Sequence, residues 1–226
     1  MTAPMVRIDD LSFAHAGGGF RLAVEQLAVC RGERVAIVGP SGTGKTTLLN
    51  LVSGILLPQS GAVHVGETRV DRLDDALRRA FRIGTIGFVF QNFALIEYLS
   101  AGENILYPYR ITNALRVTAE VRARAMALAE AVGLADKLAR KPAALSQGEQ
   151  QRIAICRALV TQPALVLADE ATGNLDPDNK AMILDLLFEQ TAAHDATLLA
   201  VTHDHALLDR FDRVIDFDRF RRGTAQ

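Results

Sequence analysis

The stretch Gly39-Pro40-Ser41-Gly42-Thr43-Gly44-Lys45-Thr46-Thr47 constrains this chain more than any other, because it fits the pattern G-x-x-x-x-G-K-[ST] at every fixed position. Val35-Ala36-Ile37-Val38 ahead of it is a β-branched run, and residues 46–52 behind it carry helical spacing, so a strand, loop and helix are predicted in that order. Gly39, Gly42 and Gly44 let backbone N–H groups converge on phosphate oxygens, at a helix N-terminus whose partial positive charge favours an anion. Lys45 supplies a mobile charge. The Thr46 hydroxyl is placed to ligate Mg²⁺, and Thr47 to pack or to touch an α-phosphate. The competing explanation is a glycine turn, but the four fixed positions would arise by chance in a chain of this length only about 1% of the time.

Composition narrows the rest. At 226 residues the chain is long enough for one α/β domain with a subdomain and a substantial core. A net charge of -1 leaves no basic excess of the kind that holds nucleic acid, so no nucleic-acid partner is expected. Cys30 and Cys156 lie far apart, in a predicted strand and a predicted helix, and are expected to be buried free thiols in a reducing cytosol. No basic-then-apolar leader is visible, and no apolar run reaches the ~20 residues that cross a bilayer. Any membrane span must then come from another chain.

In order, residues 6–13 alternate as a half-buried strand does, and Gly17-Gly18-Gly19 predicts a hairpin with a return strand over 20–29. Residues 61–66 resemble another edge strand, 74–81 a short helix, and 85–90 a buried strand that delivers Gln91. From 92 to about 161 the pattern is helix after helix, which predicts a helical subdomain inserted between strands of one sheet. Its clearest helix covers 116–132, with Val117, Val121, Ala125, Leu128 and Val132 on one face. Another opens near Gly148. Strands at 164–170, 197–202 and 213–217 then alternate with helices at 177–194 and 205–210.

Two further groups carry chemistry. Leu165-Val166-Leu167-Ala168-Asp169-Glu170 is an apolar strand ending in two carboxylates: Asp169 can hold Mg²⁺, and Glu170, one residue on, suits a general base for an attacking water. Leu145-Ser146-Gln147-Gly148-Glu149 is a polar glycine turn that opens a helix, able to bind a second anion or simply to cap the helix.

The phosphate loop, the acidic strand and Ser146-Gln147-Gly148-Glu149 shortly before that strand together resemble the ATP-binding cassette family over nearly the whole chain, 1–226 as a single domain. The resemblance implies an α/β fold: a phosphate-loop NTPase core with a mainly parallel sheet, an N-terminal antiparallel β subdomain and the inserted helical subdomain. It implies that two copies sandwich two ATP molecules with Mg²⁺, each copy's Ser146, Gln147, Gly148 and Glu149 facing the other's Gly39, Pro40, Ser41, Gly42, Thr43, Gly44, Lys45, Thr46 and Thr47. By the same resemblance Gln91 is the lid-loop glutamine and a Mg²⁺ ligand with Thr46 and Asp169. Asn174-Leu175-Asp176 is the dimer-interface loop, with Asp176 near the nucleotide, and His203 is the switch histidine. Glu170, His203, Gln91 and Lys45 form the implied catalytic set. His15 stands where the family stacks an aromatic on adenine, with Phe20 as the alternative, and Gln147 replaces the usual first glycine of the signature. Phe90-Gln91-Asn92-Phe93-Ala94-Leu95-Ile96, Gly102-Glu103-Asn104-Ile105 and Gly173-Asn174-Leu175-Asp176 resemble the macrolide-exporter, lipoprotein-release and cell-division branch. The implied function is an ATP-hydrolysing subunit, peripheral on the cytoplasmic face of the inner membrane, that drives a separate integral membrane permease docked on the segment after Gln91. The alternatives are a soluble mechanical ATPase acting on DNA or ribosomes, and a phosphoryl-transfer kinase, which would leave the signature and His203 without a role.

Overall fold

The computed structural model describes residues 4–15, 20–173 and 177–220. Strands β1 (Pro4–Ala14) and β2 (Arg21–Cys30) pair antiparallel, as the glycine-marked hairpin predicts. Val6 and Ile8 are buried, and so are Leu11 and Phe13, two sets of opposite parity. Asp10, at φ 48°, lies between them where the pairing with the next strand shifts, so a bulge brings both sets to the core. Strand β3 (Arg34–Val38) feeds the phosphate loop and helix α1 (Lys45–Val52). Next come β4 (Ser60–Val65) and the two-residue β5 (Thr68–Arg69). The first sheet has the order β2-β1-β4-β5, so β4 is interior and not the edge strand its sequence resembles.

Helix α2 (Asp75–Thr85) runs four residues beyond the predicted helix and leads directly into β6 (Ile86–Val89). The helical region holds α3 (Ala101–Ile105), α4 (Ala119–Ala131) and α5 (Gln147–Leu159), with 3-10 turns between them. Residues 92–100, expected to be helical, instead form turns and irregular backbone. Helix α4 starts later than predicted because the Thr118 side chain accepts from Val121 N–H and caps it. Strand β7 (Leu165–Asp169), helix α6 (Pro177–Ala193), β8 (Thr197–Val201) and β9 (Arg213–Asp216) complete the second sheet, all parallel, in the order β6-β7-β8-β3-β9.

The parallel sheet separates two cores. Leu165, Leu167, Leu199 and Val201 pack with α1 and the first sheet; Val166, Ala168, Leu198 and Ala200 pack with α4, α5 and α6. Every residue of β7 and β8 is therefore buried, which is why these strands are almost unbroken apolar runs. Each fully buried leucine contributes about 1.5–3 kcal/mol relative to exposure. Cys156 is buried, as expected, and burial pushes its thiol up to about 12. Cys30 is exposed, contrary to expectation, because the last residue of β2 falls on the outward side of the alternation.

Gly87 sets how closely β6 approaches α5. A Cβ there would lie 2.3 Å from the Ala158 carbonyl oxygen and 2.8 Å from Pro163 Cγ. Gly87→Ala should accordingly destabilise the fold by ~1–3 kcal/mol through overpacking. Urea denaturation measures this, and an unchanged midpoint would mean that the two elements separate without cost.

Candidate nucleotide site

The phosphate loop curls around its own lysine. Lys45 is buried, and its ammonium donates to the carbonyls of Gly39 and Pro40 at 2.7 Å each, while Thr43 Oγ1 donates to Pro40 O at 2.9 Å. An ammonium has three donors, so one remains for a phosphate oxygen. Helix α1 has no side-chain cap, which leaves its first N–H groups pointing into the loop. Gly44 caps it at φ 108°, and a Cβ there would fall 2.4 Å from Phe20 Cζ. Only glycine fits this position, on backbone angle and on space.

Glu170 follows β7 in a left-handed conformation, φ 51°, which turns its side chain across the ends of the neighbouring strands. Its N–H donates to Val201 O at 3.0 Å and its own carbonyl accepts from Gly173 N–H at 3.0 Å, so the turn is held on both sides. Gln91 Nε2 donates to Glu170 Oε2 at 3.2 Å, and His203 Nδ1 lies 3.4 Å from Glu170 Oε1. One carboxylate thus gathers the residues that follow β6 and β8. The structure brings Gln91, Glu170 and His203 together.

Asp169 is buried beside them. Burial raises its carboxyl above the usual range, and the nearby Glu170 carboxylate raises it further, against the lowering effects of a hydrogen bond with Thr46 and of the Lys45 charge. Its Oδ1 is buried with no hydrogen-bond partner. Asp169, Thr46 and Gln91 line one recess of about 430 Å³, an oxygen-rich donor set with an unpartnered buried carboxylate oxygen that fits a hard divalent cation.

A second opening, a cleft of about 370 Å³, joins the phosphate loop to the aromatic end of β1. Ser41, Gly42, Gly44, Lys45, Thr46 and Thr47 form its floor. Gln91 and Glu170 line it as well, and so do His15 and Phe20. The exposed His15 ring lies 5.4 Å from the Phe20 ring, tilted, and makes an edge contact with Phe13 at 4.9 Å. Phe20 lies against the loop itself, so the two rings form one wall.

Ser146, Gln147, Gly148 and Glu149 do not line this cleft. They open α5 as a capping box: Ser146 Oγ accepts from Glu149 N–H at 3.3 Å, and Glu149 Oε2 accepts from Ser146 N–H at 2.8 Å. Glu149 also meets Lys137 at 2.5 Å, and this hydrogen bond, followed by that from Ser146 N–H, holds its carboxyl below the usual range. Ser146 and Gln147 are exposed and are not part of the chain's own cleft lining. Asn174, Leu175 and Asp176 lie outside the described residues.

Two contacts near the site have no sequence signal. Lys180 of α6 pairs with Asp204 at 2.8 Å, bracing the residue after His203. Arg157 of α5 donates to the carbonyls of Phe93 and Ala94, just beyond Gln91.

The fold and site define a phosphate-loop nucleotide hydrolase with its acidic residues at the ends of a parallel sheet. The chain belongs to the ABC transporter family, whose model matches residues 24–173, and it is an ATPase subunit of that family. It is 40% identical over 218 residues to the lipoprotein-releasing system ATP-binding protein LolD of Xanthomonas euvesicatoria pv. vesicatoria (strain 85-10), covering 95% of this chain and 88% of that protein. It is 42% identical over 189 residues to LolD of Legionella pneumophila (strain Paris), covering 84% and 82%. Among solved structures it matches the dimeric post-hydrolysis state of the ATP-binding cassette MJ0796 bound to ADP and Pi, with a TM-score of 0.84, 33% identity and 94% of each chain covered. The macrolide-exporter, lipoprotein-release and cell-division branch is thereby supported, and a soluble ATPase for DNA or ribosomes is not favoured.

The buried Asp169 carboxylate makes the nucleotide-free fold pH-sensitive in a defined direction. Its folded value is raised, so the folded state holds the proton longer than the unfolded state, and stability falls as pH rises through the window between the ordinary and the raised value. At about pH 7.5, Asp169→Asn should therefore raise the melting temperature of the nucleotide-free protein by about 2–4 °C, and the gain should vanish below that window. A lower melting temperature in the variant would show that the ionised carboxylate is stabilised in place.

Proposed function

We propose that two copies of this chain close on two ATP molecules, that Glu170 activates the water attacking each γ-phosphate, and that closure and reopening move a separate membrane permease. The observation that carries this reading is the Glu170 carboxylate held between Gln91 and His203 at the mouth of the phosphate-loop cleft. A carboxylate so held is oriented to accept a proton from water, an effect commonly worth about 10²–10⁴ in rate. Lys45 and the loop N–H groups bind the phosphates, and the His15 and Phe20 wall stacks on the base, which reads an aromatic face and not a hydrogen-bonding edge. Mg²⁺, held by Thr46, Asp169 and Gln91, neutralises charge on the phosphate oxygens when bound. The exposed Ser146 and Gln147, with Gly148, contact the γ-phosphate in the other copy, and Asp176 belongs to the same interface. Glu149 serves this contact indirectly, by fixing the N-terminus of α5.

None of the described helices is long and apolar enough to cross a membrane, so the work passes through a surface contact. An apolar groove of about 230 Å³ lies beside β6, with Phe88, Phe90, Tyr107, Pro108 and Ile111 among its walls. Ile111 is 49% exposed, and Tyr98, which comes earlier in the chain and does not line the groove, is 74% exposed. This surface receives a short cytoplasmic helix of the permease, and the chain sits peripherally on the cytoplasmic face of the inner membrane. The relatives named for a lipoprotein-releasing system support lipoprotein as the cargo class.

Glu170→Gln should retain ATP binding, lose roughly 10²-fold or more of turnover and accumulate as a dimer in ATP but not in ADP, read by size-exclusion chromatography. Wild-type turnover in this variant would remove Glu170 from the role. Ile111→Glu and Tyr98→Glu should abolish co-purification with the permease while leaving the basal ATPase rate of the isolated chain within about twofold. Unchanged co-purification would place the coupling surface elsewhere.

A further inference from the structure

Phe93 and Ala94, two and three residues beyond Gln91, both adopt left-handed backbone, φ 62° and 47°. Consecutive non-glycine residues in this region are uncommon and persist only where the surroundings enforce them. Arg157 of α5 binds both of them here. Its side chain donates from one terminal nitrogen to Ala94 O at 2.5 Å and from the other to Phe93 O at 2.6 Å. The residue is 8% exposed, and burial pushes its guanidinium down to about 10. No carboxylate pairs with it among the described residues; the two carbonyls accept from it, and the nearby Tyr107 also favours its charge. The strained peptide and the buried cation therefore depend on each other. Farther along, the buried Asn104 side chain accepts from Ile96 N–H at 2.8 Å and donates to Ile96 O at 3.1 Å, so the segment is pinned at a second point.

Arg157 lies ten residues along α5 from Gln147, a distance of about 15 Å on a rigid helix. It also lines the apolar groove, together with Ala94. We propose that Arg157 is a positioning residue: its guanidinium holds the backbone after Gln91 in the left-handed conformation, setting where the Gln91 carboxamide meets Glu170 and tying that loop to the helix that begins with Ser146. This rests on the reading of Glu170 and Gln91 as the hydrolytic pair. The groove, the loop and the signature end of α5 then share one connection, and an occupant that displaces Ala94 disturbs the Arg157 contacts directly.

Glycine provides the test, because it occupies left-handed backbone without penalty and should replace the work of the guanidinium at Ala94. Arg157→Met, Ala94→Gly and the double variant complete a cycle with the wild-type chain. Arg157→Met should lower kcat about tenfold with the ATP KM within about twofold, a loss of positioning and not of binding. Ala94→Gly alone should stay within about twofold of wild type, and the double variant should recover about threefold or more of the lost kcat. A second readout is amide hydrogen exchange without nucleotide. Phe93 N–H donates to Phe90 O and Ala94 N–H to Asn92 O, and both should exchange about tenfold faster in Arg157→Met while α5 keeps its protection. Additive losses with no recovery by glycine, or unchanged exchange at the two amides, would overturn the proposal. Should Arg157→Met fail to fold, Arg157→Lys, which cannot span both carbonyls, takes its place in the same cycle. A wild-type chain without ATPase activity would defeat the hydrolytic reading, while the exchange measurement would still decide the role of Arg157.

Discussion

The register of the parallel sheet is the constraint on which the site depends. Ile37 and Asp169 both pair with Val201, and Val89 pairs with Ala168, so β3, β8, β7 and β6 end almost abreast. The phosphate loop, His203, Glu170 and Gln91 are the residues that follow those ends. A parallel sheet collects its ligand-binding loops at the carboxyl edge of its strands, and here the loops after β6 and β8 meet the Glu170 carboxylate, which shares its cleft with the phosphate loop. Moving any strand by one residue would exchange its buried faces and draw its functional residue back into the core.

The two cores give this edge its rigidity. Alternate residues of β7 and β8 face opposite layers, so neither strand can shift without disturbing both. Against that fixed sheet, the helical region contributes α5, whose first turn presents Ser146 and whose last turns hold the loop after Gln91 through Arg157. Glu149 belongs to the same construction. Its carboxylate caps α5 and pairs with Lys137, so the N-terminal end of the helix is fixed from two directions.

Much of this was legible in the sequence because it is local. The phosphate loop has fixed spacing, β7 is an apolar run ending in Asp169 and Glu170, and Gln91 and His203, each placed just after a strand, meet Glu170 in space. What sequence reasoning missed is tertiary. Residues 92–100 lie in the stretch expected to be helical, but Phe93 and Ala94 are left-handed, and the Arg157 that donates to their carbonyls comes from a helix more than sixty residues on. The apolar stripe from Val117 sets the predicted start of α4, whereas the Thr118 side chain caps the helix two residues inside that boundary. The interior place of β4 depends on β5, a pairing of two residues too short to announce itself.

The central claim is that the site is completed by a second copy, with each signature turn facing the other chain's phosphate loop. Site-directed disulfide formation tests it most directly. In a Cys30→Ser background that also carries Glu170→Gln, cysteines at Ser41 and Gln147 should form an intermolecular bond in ATP with Mg²⁺ and little in ADP, because a disulfide needs Cα atoms within about 7 Å. Absence of the cross-link in ATP, or an intramolecular bond between the two positions in a single chain, would contradict the account.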